Sequence, residues 1–260
     1  MYFTRMIDVN HRRRLFAMVA CLALSAPVSA QPRRLEPITV SRKVALVVGN
    51  QAYQRNPLAN PGRDAAAMGR VLSEMGFDVT VQQDLSLRGM TDAISAFTAR
   101  LHSGDLALFF YSGHGMQIDG DNYLNPVDLK AQDEADAKYG SYSVNLLREK
   151  LERSGARLRI VVLDACRDNP FRTTRGGRVG LAAMEGTAEG TLIAYATGDN
   201  NVADDNARGG NGLFTSYLIE ALRAPGLGLE QVFKRVKESV YGASQGKQNP
   251  FTYSNVVGEF

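Results

Sequence analysis

The sequence predicts an α/β fold, with a mainly parallel central sheet of about six strands flanked by helices on both faces. Three observations carry that expectation. Apolar runs such as "KVALVVGN" and "DLALFFYS" are short and near-continuous, as suits strands covered on both faces. Between such runs lie segments whose apolar residues recur at helical spacing. The two kinds of segment alternate along the chain, the pattern of parallel strands joined by crossover helices.

The elements follow in order. Residues 31–42, "QPRRLEPITVSR", are polar, carry two prolines and read as an N-terminal linker. "KVALVVGN" is the first strand. In "GRDAAAMGRVLSEMG", Ala65, Met68, Val71, Leu72 and Met75 share a helical face, and Gly76 ends the helix. "FDVTVQQ" alternates as a strand, and "LRGMTDAISAFTARL" returns to helical spacing. "DLALFFYS" is a third strand, "SYSVNLLREKLERSG" a helix stopped by Gly155, and "LRIVVLDA" a fourth strand. Beyond the glycine- and arginine-rich "RTTRGGRVGLAAMEG" comes a fifth strand, "TLIAYAT". Two helices follow, "NGLFTSYLIEAL" and "LEQVFKRVKESVYG", and the tail "NPFTYSNVVGEF" offers an edge strand. The loop at 167–190 and the polar "GDNNVADDNARGGN" are the expected mobile connections.

Composition sets the outer bounds. A chain of 260 residues, 44% hydrophobic and 22% charged, buries an ordinary globular core. Residues 1–30 read as a secretory signal peptide. Arg12, Arg13 and Arg14 precede an apolar stretch from Leu15 to Leu24, and Val28-Ser29-Ala30 form a small-residue cleavage site. About ten apolar residues fall short of the about twenty that span a bilayer. The expected product is an exported protein, periplasmic or secreted, with no membrane span after processing and one domain over residues 43–260.

That removal changes the charge and cysteine readings. Arg5, Arg12, Arg13, Arg14 and Asp8 leave together, so 26 basic and 26 acidic residues remain of the original 30 and 27. A neutral mature chain gives no basic patch for nucleic acid. Of the two cysteines only Cys166 stays, which excludes an internal disulfide and leaves a thiol that is either buried or reactive. His102 and His114 are the remaining histidines.

Open α/β sheets build their sites at the carboxyl ends of the strands. His114 lies three residues past the apolar part of one strand, and Cys166 two residues past that of another, so both emerge at the same edge of the sheet. A histidine beside a thiol can take its proton and make it a strong nucleophile. The glycines around His114 permit a sharp turn, and the backbone N–H groups of Gly115 and Cys166 are candidates for an oxyanion hole. Taken singly, the cysteine also fits a small buried hydrophobe and the histidine a turn residue. His102 ends the helix "FTARLH", where its charge suits the helix dipole.

The strand-end "YSGHG", the later "DAC", the opening "ALVVGNQAY…PLANPGRDA" and the late "IAYAT…NGLFTSYLIEAL" together resemble the caspase–metacaspase group of cysteine peptidases. The resemblance runs from about Lys43 to the C-terminus and implies a caspase-like sandwich with His114 and Cys166 as catalytic dyad. It further implies a pocket for arginine or lysine lined by Asp64, Ser112 and Asp164, and hence peptide or protein substrates with exposed basic residues. Two carboxylates facing one guanidinium make a physically sound pocket. For Asp64 the competing reading is a carboxylate favouring a helix N-terminus.

Two departures from the family pattern stand out. The family usually follows its cysteine with histidine, serine and glycine, where this chain has Arg167-Asp168-Asn169-Pro170. The paired acids that hold calcium in many metacaspases are replaced after "NPVD" by "YSVNLL", leaving Asp128 as one match. Calcium takes six to eight oxygens, so no calcium or other cofactor is expected, and "AQDEADA" reads as a solvated loop. Arg172, Arg175 and Arg178 lie where caspase-like proteins carry an intersubunit linker, and are candidate sites of self-cleavage. The main rival to a peptidase is a catalytically silent caspase-like scaffold that binds protein partners. A thiol-redox role lacks a second cysteine, a papain-like enzyme has the reverse residue order, and a zinc site lacks ligands.

Overall fold

The computed structural model describes residues 37–166, 187–197, 210–258 and 260. Its strands are β1 (Lys43–Gly49), β2 (Asp78–Gln83), β3 (Leu106–Ile118), β4 (Asp121–Leu124), β5 (Tyr142–Ser143), β6 (Leu158–Cys166), β7 (Thr191–Tyr195) and β8 (Phe251–Ser254). The helices are α1 (Pro61–Glu74), α2 (Leu87–Ala99), α3 (Glu134–Tyr139), α4 (Val144–Arg153), α5 (Leu213–Arg223) and α6 (Leu229–Ala243). The main sheet has the order β2-β1-β3-β6-β7-β8. Every pair along it is parallel except β7 with β8, so the C-terminal tail does form the antiparallel edge.

The continuous apolar runs are explained by two separate cores. Val44, Leu46, Phe109, Tyr111, Val161 and Leu163 face α2 and α4, packing on Met90, Ile94, Phe97, Leu147 and Leu151. Their neighbours Ala45, Val47, Leu108, Phe110, Ile160 and Val162 face α1, α5 and α6. Successive strand residues point to opposite faces, so a strand buried on both sides has no polar position to spare. Phe109 and Phe110, adjacent in sequence, are each fully buried in a different core.

The helix boundaries follow local chemistry. The Ser86 side chain accepts the N–H of Gly89 at the start of α2, and that of Ser143 accepts Leu146 N–H at the start of α4. Gly76 (φ 82°) and Gly155 (φ 76°) take left-handed conformations just past α1 and α4, as expected of both stops.

Three local expectations differ from the structure. β3 does not end at Ser112 but continues through "GHGMQI", because its second half pairs antiparallel with β4 from Gly115 to Ile118. The "AQDEADA" segment is not a plain loop: Asp133 accepts Asp136 N–H at 2.8 Å and caps the short helix α3. His102 lies beyond the end of α2, in a turn where its backbone N–H donates to Asp105 Oδ2 at 2.8 Å.

Asp105 itself ties the amino ends of the central strands together. Its buried carboxylate accepts from Arg42 Nη2 at 2.6 Å and Nε at 3.1 Å. The Arg42 hydrogen bond, opposed by burial, holds the carboxyl below its usual range. A depressed carboxylate stabilises the fold above its unfolded value of about 3.9, and that contribution is lost as pH falls through the folded value. The urea midpoint of the wild type is therefore expected to drop on acidification below about pH 4 more steeply than that of Asp105→Asn, which starts lower and changes less.

Candidate active site

The site is built where the parallel pairing of β3 and β6, the two central strands, ends. Their parallel register pairs Ser112 with Asp164, Gly113 with Ala165 and His114 with Cys166. Adjacent strands lie about 4.8 Å apart, so the backbones of His114 and Cys166 sit side by side on the last rung of this ladder. The two residues that sequence reasoning placed at one sheet edge are direct cross-strand partners. Gly115, the next residue on β3, is the Cα partner of Leu124 at the head of the β3–β4 pairing.

His114 is held from several directions. Its Nε2 lies 2.7 Å from the backbone oxygen of Asn56. A carbonyl only accepts, so Nε2 is the donor in this contact. The His114 backbone N–H donates to Tyr53 Oη at 2.9 Å, and the Tyr53 ring leans on the imidazole with centroids 4.4 Å apart. The His114 carbonyl accepts from Asn125 N–H at 3.0 Å. Tyr111 Oη shares its proton between that carbonyl (2.8 Å) and Asn125 O (2.9 Å). Burial pushes the Tyr53 and Tyr111 hydroxyls well above the ordinary tyrosine range, so both stay protonated. A side chain on Gly113 would lie 2.6 Å from Tyr53 Oη and 2.7 Å from Tyr111 Oη, which explains the glycine before the histidine.

A second cluster lies beside this one. Asp64 (2% exposed), Ser112 (3%) and Asp164 (8%) are all buried. Asp64 stands in the first turn of α1, yet its carboxylate reaches across to accept Ser112 Oγ–H at 3.1 Å and Gly212 N–H at 2.9 Å. Asp164 accepts from the fully buried Thr215 Oγ1 at 2.6 Å. A Cβ on Gly212 would sit 3.2 Å from Asp64 Oδ2 and 3.5 Å from Asp164 Oδ2, so both carboxylates converge on one point. Two buried carboxylates so arranged favour a cation between or beside them.

Sequence reasoning had assigned no role to Tyr53, Asn56, Tyr111, Asn125, Gly212 or Thr215. The first four surround the histidine, and the last two complete the acidic cluster. Asp128 accepts the backbone N–H of Leu87 at 3.0 Å. Among the described residues, no group of three or more His, Cys, Asp or Glu is placed to share a metal ion. Arg172, Arg175 and Arg178, the Arg167–Pro170 segment and residues 198–209 of the polar loop lie outside the described residues.

Comparison with known proteins decides the family. The profile of the peptidase C14 caspase domain matches residues 42–260. The chain belongs to the caspase-domain family. Over 188 residues it is 30% identical to mucosa-associated lymphoid tissue lymphoma translocation protein 1 of Homo sapiens, and equally to the homolog of Mus musculus. The match covers 69% of this chain but 22% of the human protein and 21% of the mouse one, so the chain spans well under two thirds of these relatives. The caspase domain here takes in β1 to β8, and with them His114, Cys166 and the Asp64–Ser112–Asp164 cluster. The matched model is that of a peptidase family.

Proposed function

We propose that this caspase domain is an endopeptidase that cuts peptide and protein substrates after arginine or lysine, with Cys166 as nucleophile and His114 as its base. The observation that carries the reading is the His114–Cys166 rung with two buried aspartates converging on one point next to it. His114 Nδ1 takes the thiol proton, and the Cys166 thiolate attacks the scissile carbonyl. The backbone N–H groups of Gly115 and Cys166 hold the oxyanion. As the tetrahedral intermediate collapses, His114 gives the proton to the departing amine. Water, deprotonated by the same Nδ1, then hydrolyses the thioester and restores the thiol. The chemistry consumes only water and needs no metal or other cofactor.

In this reading the guanidinium or ammonium of the residue before the cut is held by Asp64 and Asp164, with Ser112 orienting the former and Thr215 the latter. Charge-assisted bonds of this kind offset the desolvation of a buried cation. Neutralising pairs of this type also favour exposed basic side chains over nucleic acid as partners. Residues 1–30 are removed on export in this scheme, leaving Gln31 as the N-terminus. Arg172, Arg175 and Arg178 would be sites of processing by the protein itself.

The test is a panel of fluorogenic peptides ending in arginine, lysine or aspartate, each run with calcium and with chelator. Release after arginine and lysine alone, equal in both media, is the expected result. Release after aspartate would overturn the pocket assignment, and a calcium requirement would overturn the metal-free scheme. Silence in protein shown to be folded would replace the peptidase with a binding scaffold.

Gly212 supplies a sharper check of the pocket. Its backbone (φ −54°, ψ 152°) is open to any residue, so alanine there meets no backbone strain. The added methyl would occupy the point on which both carboxylates converge. Gly212→Ala is expected to lower kcat/KM for arginine and lysine peptides by about tenfold or more, with a modest fall in melting temperature because the methyl crowds Asp64 Oδ2 and alanine is a poorer N-cap than glycine. Steady-state kinetics beside a thermal melt measure both.

A further inference from the structure

The segment between β1 and α1 contains one buried side chain from Gln51 to Ala59, that of Tyr53. Its start is pinned by Asp84 Oδ1, which accepts the N–H groups of Gln51 at 2.9 Å and Ala52 at 2.8 Å. Leu58 N–H returns to Gln51 O at 3.0 Å. Between these ties the chain passes through Asn56, whose φ of 54° is in the left-handed region, and whose carbonyl meets His114 Nε2. Tyr53 is therefore the side chain that docks this loop on the sheet. Its hydroxyl docks at the His114 backbone N–H, 3.1 Å from Tyr111 Oη and 3.2 Å from Asn125 O.

We infer that Tyr53 is a positioning residue for His114: one buried hydroxyl fixes the histidine backbone and, through the same loop, the Asn56 carbonyl that fixes its ring. The inference rests on His114 acting as the base for Cys166. A base acts only from the nitrogen that lacks a proton. Holding Nε2–H on Asn56 O leaves Nδ1 as the lone-pair atom, and releasing that contact lets the two neutral tautomers mix. Misplacement of a catalytic group by about 1 Å can cost about a hundredfold in rate. Tyr53 touches neither the scissile bond nor the acidic cluster, so its effect belongs to kcat and not to KM.

The test uses the full chain and its Tyr53→Phe variant, which keeps the ring and deletes the hydroxyl. Long-range 1H–15N spectra of the histidine rings report the His114 tautomer whether or not any peptide is cut. The wild type is expected to show the neutral Nε2–H form, and Tyr53→Phe a mixture of both forms. With an arginine peptide the variant should lose about 10- to 100-fold in kcat, at a KM within about twofold. A merely structural tyrosine would lower the melting temperature and leave tautomer and kcat in place; that result overturns the inference. So does an Nδ1–H tautomer in the wild type, which needs no variant to fold. If the wild type cuts nothing but the tautomer still shifts in Tyr53→Phe, the positioning stands and the peptidase reading falls.

Discussion

Cys166→Ala is expected to abolish the proposed cleavage after arginine and lysine: kcat/KM should fall by at least about 10,000-fold, to the residual rate that binding and oxyanion contacts alone sustain. The size of the effect follows from the chemistry. In the proposed mechanism the thiolate forms the covalent bond that divides hydrolysis into two steps, and alanine offers no atom to replace it. His114→Ala removes the proposed base from the same unit. Groups that act as one unit are non-additive, so the double variant should be no slower than the worse of the two. A small side chain for a small side chain at the strand end leaves the β3–β6 register intact, so the loss should appear with an unchanged melting temperature. Progress curves on an arginine peptide, read beside the thermal melt, check both halves of the statement. A Cys166→Ala protein that still cleaved would remove the nucleophile from the scheme.

Asp64→Asn and Asp164→Asn come next in expected effect. Hydrogen bonds to charged groups contribute about 1.5–3 kcal/mol, and about 1.4 kcal/mol is a factor of ten. Each substitution should therefore cost about 10- to 150-fold in kcat/KM for arginine and lysine peptides. The two changes are not equivalent in structure. Asp64 accepts both Ser112 Oγ–H and Gly212 N–H, and an amide can place its single oxygen on only one of them. Asp164 accepts from Thr215, a bond the asparagine oxygen can keep. Asp64→Asn should accordingly lower the melting temperature more than Asp164→Asn. Were Asp64 only a helix-terminus charge, stability would fall while the preference for a basic residue over a neutral one stayed constant. Measuring that ratio alongside the melt separates the two roles.

The fold was legible because burial on both sheet faces leaves a plain trace. "KVALVVGN" and "LRIVVLDA" must be apolar throughout to serve two cores, and such runs name parallel strands directly. The second half of β3 was hidden for the opposite reason. Gly113 and Gly115 carry no side-chain signal for a strand, and the clue that was present is the Asp119-Gly120 turn, both residues at positive φ, which folds β4 back on β3 as a hairpin. The two residues of β5 are too few for any period, and α3 is a single short helix launched by its Asp133 cap. In the site, Asp64, Ser112 and Asp164 came from resemblance to the caspase–metacaspase pattern, and His114 with Cys166 also from their strand-end positions. Tyr53, Asn56, Gly212 and Thr215 act through contacts far apart in sequence, which no window along the chain can show. Tyr53 lay in the quoted "GNQAY", so its position was visible while its use was not.

The central claim is that Cys166 is a nucleophile addressed by a basic side chain in the neighbouring pocket. The most direct measurement is covalent capture. The folded full chain is incubated with a peptidyl arginine acyloxymethyl ketone, with its aspartate counterpart in parallel, and the modified residue is mapped by mass spectrometry. The account predicts one adduct per chain, on Cys166, from the arginine reagent alone, and its loss in His114→Ala. An adduct on Cys21, equal labelling by the aspartate reagent, or an unmodified folded chain would contradict it.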